Sequence, residues 1–507
     1  GITDAGSEGT SIVAGSPLSV DQAVSNTGGG NILLAAYGDT PLDNLTLNAN
    51  VTASGGSGNI QLFGGNNLAI ENDVTVSAAG SGNISAYAGE DFSDSTVDQD
   101  GTSGGSIEMD ASAALSADTG TVLLDAADDV EVAAISTSTT GTTLIHARAG
   151  SIVDVNAGAT NVSGNGRLAM QAAAGIATDL DRLETSIDTL EAHGGANGGV
   201  FVENTGTLAL EDFEASLGTA GQSVSASGDA IKVFTSSPLT VTDVVTNTGG
   251  KDIILAAKGS ADADDLTVNA NIQITGGDGD IDLVAGDDIS MGATVTVKNE
   301  GQGTIRLTAG DDFSDETLDM DGNAGADITM AADASVKTDD GNIFLKANDD
   351  VLLGFLDANT NSTADDGNEN LGNVQIIALG QDGSNLTIAD NNAGSPNIHA
   401  DNLDLRGADG IGETTIGGDF IDTEAKKLEA NGGAGGVGIK NRGALTIGEV
   451  TSDTSGVTAA GGDIRIYTFG SGSSAITLNE SVTETGGGDI TIAAWGSDSD
   501  DDITVNQ

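Results

Sequence analysis

The chain repeats itself at two scales, and this restricts it to folds built from stacked like units. NILLAAYG from Asn31 returns as DIILAAKG from Asp252, an offset of 221 residues. DNLTLNAN from Asp43 returns as DDLTVNAN from Asp264, and GEDFSDSTVDQDG from Gly89 as GDDFSDETLDMDG from Gly310, both at that same offset. Further on, GGVFVENTGTLAL from Gly198 matches GGVGIKNRGALTI from Gly435 at an offset of 237. The second copy has therefore gained residues, which we assign to the polar stretch near 359–370. A third copy opens at Ser473 and stops early within the repeat. The expected copies are 1–226, 227–463 and the truncated 464–507.

Inside each copy lies a finer period. Gly58-Asn59-Ile60, Gly82-Asn83-Ile84 and Gly105-Ser106-Ile107 recur at spacings of 24 and 23. The unit from Gly58 to Ser81 holds three triplets that alternate in and out: Ile60-Gln61-Leu62, Leu68-Ala69-Ile70 and Val74-Thr75-Val76. Gly, Asn and Asp flank them, as they flank short strands. Three strands per unit predict an all-β fold: a three-sided parallel β-helix (β-solenoid) with roughly 24-residue rungs. One rung cannot bury its apolar face alone, so neighbours share a core. The alternation points Ile60, Leu62, Ile281 and Leu283 inward. About 21 such rungs, roughly 4.8 Å apart, make a rod about 100 Å long. Immunoglobulin-like sandwiches would repeat near 100 residues around aromatic cores; here aromatics are 3% and Trp495 is the one tryptophan. Thr178 to Ala192 resists the pattern. Leu180, Leu183, Ile187 and Leu190 stand at helical spacing, and we expect an irregular rung there, with a short helix as the alternative.

Composition then removes whole classes. There is no Cys, so disulfide scaffolds and Cys-based metal centres are excluded. The formal net charge of −61 opposes binding to nucleic acid through phosphates. No apolar run is long enough to insert in a membrane as a helix. With 75 Gly but only 4 Pro, the chain is not collagen.

The acidic turns are the candidates for chemistry. Glu90, Asp91, Asp94, Asp98 and Asp100 have counterparts in Asp311, Asp312, Asp315, Asp319 and Asp321. Carboxylates crowded into a loop can supply the oxygen ligands of Ca²⁺. Two readings stand open: bound Ca²⁺, or a solvated acidic face. No EF-hand or glycine-rich calcium nonapeptide frame is met. His146, His193 and His399 fall in different rungs without an evident catalytic pairing, so we expect no enzyme and no required cofactor.

The rungs of the GDITIAAWG type (Gly488 to Gly496), the AGDDFSD turns (Ala309 to Asp315) and the block from Gly175 to Leu210 resemble filamentous-haemagglutinin-like bacterial surface adhesins, giant β-solenoid repeat proteins. The resemblance implies a right-handed parallel β-helix, secretion to the cell surface, and a role in adhesion or filament structure. It carries no catalytic residues. The first expectation for function is a structural rod of an extracellular adhesin or filament. The second is a Ca²⁺- or glycan-binding surface module, and the third a polysaccharide-active β-helix enzyme. Expected partners are further solenoid of the same chain or identical subunits end to end, and another cell surface or glycan. With no initiator Met and an end inside a rung, the sequence reads as a window cut from a longer protein.

Overall fold

The computed structural model describes residues 1–15, 17–38, 40–89, 104–164, 166–259, 261, 263–311, 325–360, 372–380, 388–392, 394–415, 418–450, 455–470, 472–496 and 501–506. Among these residues every regular element is a β-strand. Among the described residues no helix is long and apolar enough to cross a membrane, which leaves open any crossing by strands. The strands are parallel, and most pair with the third strand further along the chain. Leu18–Val20 pairs with Leu45–Leu47, which pairs with Leu68–Ile70. Val24–Asn26 pairs with Val51–Ala53, and that strand with Thr75–Ala78. This is a parallel β-solenoid. The insertion assigned to 359–370 lies largely outside the described residues.

Two compact units are distinguished: Gly1–Thr235 with Val245–Gly249, and Ser236–Val244 with Gly250–Gln507. In the first unit, Ile32, Ile60, Ile84 and Val122 stack in one column and Leu34, Leu62, Ala86 and Leu124 in the next. All eight are fully buried. In the second unit Ile253, Ile281, Ile305 and Ile343 form the equivalent column, beside Leu255, Leu283, Leu307 and Leu345, again without exposure. The four inward-pointing residues expected from the alternation are therefore core. Each Ile, Leu or Val side chain among them contributes about 1.5–3 kcal/mol by leaving water.

The turns explain the glycines. Asn26 is fully buried. Its side-chain carbonyl accepts the N–H groups of Gly28 and Gly30, each at 3.0 Å, which closes the turn that follows its strand. Gly58 then lies against Gly30, Gly82 against Gly58 and Gly120 against Gly82. A Cβ at these three positions would stand 2.3, 2.4 and 2.1 Å from the carbonyl oxygen one rung back. Any side chain there would push the rungs apart.

That glycine column corrects the fine period. Gly105-Ser106-Ile107 is not the next rung after Gly82-Asn83-Ile84, because Ile107 pairs with Leu68 in another column. The true successor of Ile84 is Val122. A Gly–polar–Ile triplet opens strands of more than one column, so its recurrence mixes two of them. Step length accordingly varies, from Ile60 to Ile84 in one turn and from Ile84 to Val122 in the next.

The segment Thr178 to Ala192 contains no helix. Leu183–Ser186 and Thr189–Gly194 are strands. Leu183, Ile187 and Leu190 are buried, while Leu180 is fully exposed. The helical spacing arises from two strands joined by a tight bend. At that bend the Asn204 side chain accepts the N–H of Ile187 at 3.0 Å and the Thr185 hydroxyl at 2.9 Å.

Candidate functional site

Of the ten acidic residues expected to hold a metal, only Asp311 lies among the described residues. It is buried, and its N–H donates to the Ala285 carbonyl at 3.2 Å. Glu90, Asp91, Asp94, Asp98, Asp100, Asp312, Asp315, Asp319 and Asp321 lie outside them.

Carboxylates do converge at a neighbouring turn. Asp265, Asp287 and Asp288 bring ligand-type oxygens within 4.8 Å of one another, as do Asp327, Asp349 and Asp350. The cause is a ladder. The carboxylate of Asp265 accepts the N–H of Asp288 at 3.4 Å, Asp288 accepts that of Asp327 at 2.8 Å, and Asp327 that of Asp350 at 2.9 Å. The first unit builds the same steps with neutral groups. Asn44 accepts the N–H of Asn67, and Asn67 that of Ser106, both at 3.1 Å. A second ladder follows the same rule. Asn31 and Asn59 cap Asn59 and Asn83 at 2.9 Å in the first unit. Asp252 and Asp280 cap Asp280 and Thr304 at 2.9 and 2.8 Å in the second.

Asn and Asp present the same acceptor oxygen to a backbone N–H, so the step tolerates either. Much of the acidity is thus a hydrogen-bonding device. It has an electrostatic cost. Burial pushes the Asp265 carboxyl above the usual aspartate value, and the charges of Asp288 and Asp264 add to that, against the N–H of Asp288 that pulls it down. A divalent cation would relieve such a stack.

A different site was hidden from the sequence. Asp125, His146, Gln171, His193 and Ser225 are successive register partners on one face of the first unit. His146 and His193, read as unrelated, line one cavity of about 260 Å³ with Arg148, Gln171, Thr219 and Ser225. Arg148 grips Asp125 with two bonds of 2.9 Å. Burial pushes the His146 imidazole below its ordinary value, opposed by Asp125 and assisted by Arg148.

At the other side of the cavity, His193 Nδ1 lies 2.8 Å from Ser225 Oγ and its Nε2 lies 3.1 Å from Glu191 Oε1. Glu191 and His193 are two apart on strand Thr189–Gly194, and so share a face. Glu191 is fully buried and His193 nearly so. The other Glu191 oxygen accepts the N–H groups of Phe213 and Glu214 at 2.8 and 2.7 Å, which draws the following loop over the site. Gly218 of that loop, at φ +58°, covers the imidazole; a Cβ there would sit 2.1 Å from Nε2. Sequence spacing could not find this cluster, because its members lie on steps of unequal length.

The third histidine stands in the second unit, with His399 Nδ1 3.0 Å from Asp357. Compared with known protein families, curated proteins and solved structures, the chain matches none.

Proposed function

We propose that this chain is a structural rod segment of a giant extracellular surface adhesin or filament. It is read as a right-handed, three-sided parallel β-helix whose rungs average roughly 24 residues. The observation that carries the reading is the in-register ladder of side chains, apolar inside and Asn or Asp at the turns, held through each unit. A solenoid of this kind gains reach by adding rungs, and its core grows in proportion.

On this reading the partners are further turns of solenoid, from the same chain or from identical subunits seated end to end. At the outer surface the partner is another cell or a glycan. Electron micrographs of the chain should show elongated particles, and antibodies should label intact cells of its source. Compact particles, or labelling only after permeabilisation, overturn the reading.

A second reading is favoured by the two carboxylate clusters: a Ca²⁺-binding surface module, with the ion at Asp265, Asp287 and Asp288 or at Asp327, Asp349 and Asp350. Its support is that the first unit has Asn44, Asn66 and Asn67 where the second has the first three acids. A calcium titration of thermal stability tests it.

A further inference from the structure

We propose that the first unit carries a nucleophilic serine site, Ser225–His193–Glu191, that hydrolyses short-chain O-acyl esters. The function goes beyond that of a passive rod. It also revises the expectation of no catalysis.

Three observations carry the proposal. The first is geometry. A nucleophile, a base and an orienting carboxylate stand in line at 2.8 and 3.1 Å, within the reach that nucleophilic catalysis requires. An ionised Glu191 can only accept, so the imidazole presents Nε2–H to it. In the neutral ring Nδ1 is then the acceptor, and Ser225 Oγ–H donates to it.

The second observation is an internal comparison. The second unit has the equivalent sequence, KLEANGG against TLEAHGG. Glu429 is likewise fully buried, and it accepts the N–H of the following loop at Val450, 3.0 Å away. Pinning that loop therefore needs only the glutamate. In place of His193 and Ser225 the second unit has Asn431 opposite Thr458, which contain no base. The His–Ser pair is an addition of the first unit and is not required by the fold.

The third is the cavity. Ser225 is half-buried and borders the space of about 260 Å³. That is below the usual range for drug-sized ligands, about 300–1,000 Å³, and suits an acetyl- to butyryl-sized acyl group. Gln171, the register neighbour of His193, lines the same space and offers an amide N–H₂ to a carbonyl oxygen.

The chemistry balances with water as the co-reactant. Ser225 Oγ attacks the ester carbonyl carbon while its proton passes to His193 Nδ1. The bond to the alkoxy oxygen breaks, and the alcohol leaves with that proton. Water, deprotonated by the same nitrogen, then attacks the acyl-serine and releases the carboxylic acid, restoring the serine hydroxyl. Ser225 and His193 are the catalytic residues, and Glu191 is a positioning residue.

The test uses the full chain with a fluorophosphonate probe, followed by peptide mass spectrometry, and p-nitrophenyl acetate turnover. We expect one phosphonyl adduct, on Ser225, and ester turnover lost in Ser225→Ala. His193→Asn should slow labelling by about 10²–10⁴-fold. Glu191→Gln should lower kcat with KM unchanged. Circular dichroism and melting of each variant separate loss of chemistry from loss of fold. An unmodified Ser225 in the folded wild-type chain overturns the proposal. Labelling that is equally fast in a folded His193→Asn variant does so too, and would leave the triad a loop-pinning network.

Discussion

Asp288 accepts the main-chain N–H of Asp327 at 2.8 Å, the service Asn67 performs for Ser106 in the other unit. The two residues are interchangeable as acceptors and differ only in charge. Replacing Asp288 by Asn should therefore keep the hydrogen bond and remove repulsion from its neighbours. Like charges about 4.8 Å apart repel by roughly 0.9 kcal/mol in bulk water. Without divalent cations, Asp288→Asn should stabilise by several tenths of a kcal/mol or more at low salt, and by less at physiological ionic strength. Asp288→Ala loses the acceptor and should destabilise by about 1 kcal/mol. Urea denaturation measures both, and a destabilised Asn variant in the absence of divalent ions contradicts the ladder argument.

Calcium reverses that sign if it binds. Its addition at fixed ionic strength should raise the melting temperature of the wild-type chain, and a chelator should reverse the rise. The Asp265→Asn, Asp288→Asn double variant should lose part of the response. Superimposable melting curves with and without calcium would leave the carboxylates as backbone acceptors alone.

Ile281 is fully buried between Ile253 and Ile305. Ile281→Asp would place an unpaired carboxylate in that column and should cost more than about 4 kcal/mol. Ile281→Val should cost about 0.5–1.5 kcal/mol. Equal stability of the Asp variant and the wild type would mean that the column is misassigned.

Two groups give the pH dependence of the second unit the same sign. The hydrogen bond to Asp357 raises the pKa of His399 above 6.5, against burial and with help from the charges of Asp357, Glu424 and Asp401. Its contribution is fully present below the unfolded value and is lost as pH rises through the folded one. The raised pKa of Asp265 opposes folding once that carboxyl ionises, and acidification toward 3.8 relieves it. Between about pH 8 and 6 only His399 of these two acts, and the lowered pKa of His146 in the first unit works the other way, so the stability difference between wild type and His399→Asn should widen in favour of wild type as pH falls. A difference that narrows as pH falls across this window would falsify the assignment.

Asn204 and Asn441 are buried equivalents in the two units. Each accepts a backbone N–H, Asn204 that of Ile187 at the bend at 3.0 Å and Asn441 that of Ala425 within strand Ile421–Asn431 at 2.8 Å. Ala at either position strands that buried N–H and should cost about 1–3 kcal/mol. The two losses should be similar, since the surrounding bonds to Thr185 and Thr423 match at 2.9 and 2.8 Å.

What could be read from the sequence follows from where the information sits. Ile60, Leu62, Ile281 and Leu283 were legible because alternation is local to a strand. The offset between copies was legible because Asn204 and Asn441 repeat with their surroundings. Contacts along a column were not. They depend on how many residues each turn consumes, and the steps from Thr143 to Leu168 and from Leu168 to Leu190 give no regular period from which His146 could be set beside His193. The Gly105-Ser106-Ile107 error has the same origin. Leu180 and Leu183 raised a short helix only as the alternative to an irregular rung, and it fails because two short strands and a bend imitate helical spacing.

The long step from Ile84 to Val122 keeps both core columns in register, so pairing ignores what is threaded between one strand and its partner. The solenoid can then be treated as a pegboard. A foreign peptide spliced into the exposed turn at Ala157 and Gly158 should be displayed at a fixed height along the unit, with the strands on either side undisturbed. Several epitopes could be mounted at chosen separations simply by choosing which turns receive them.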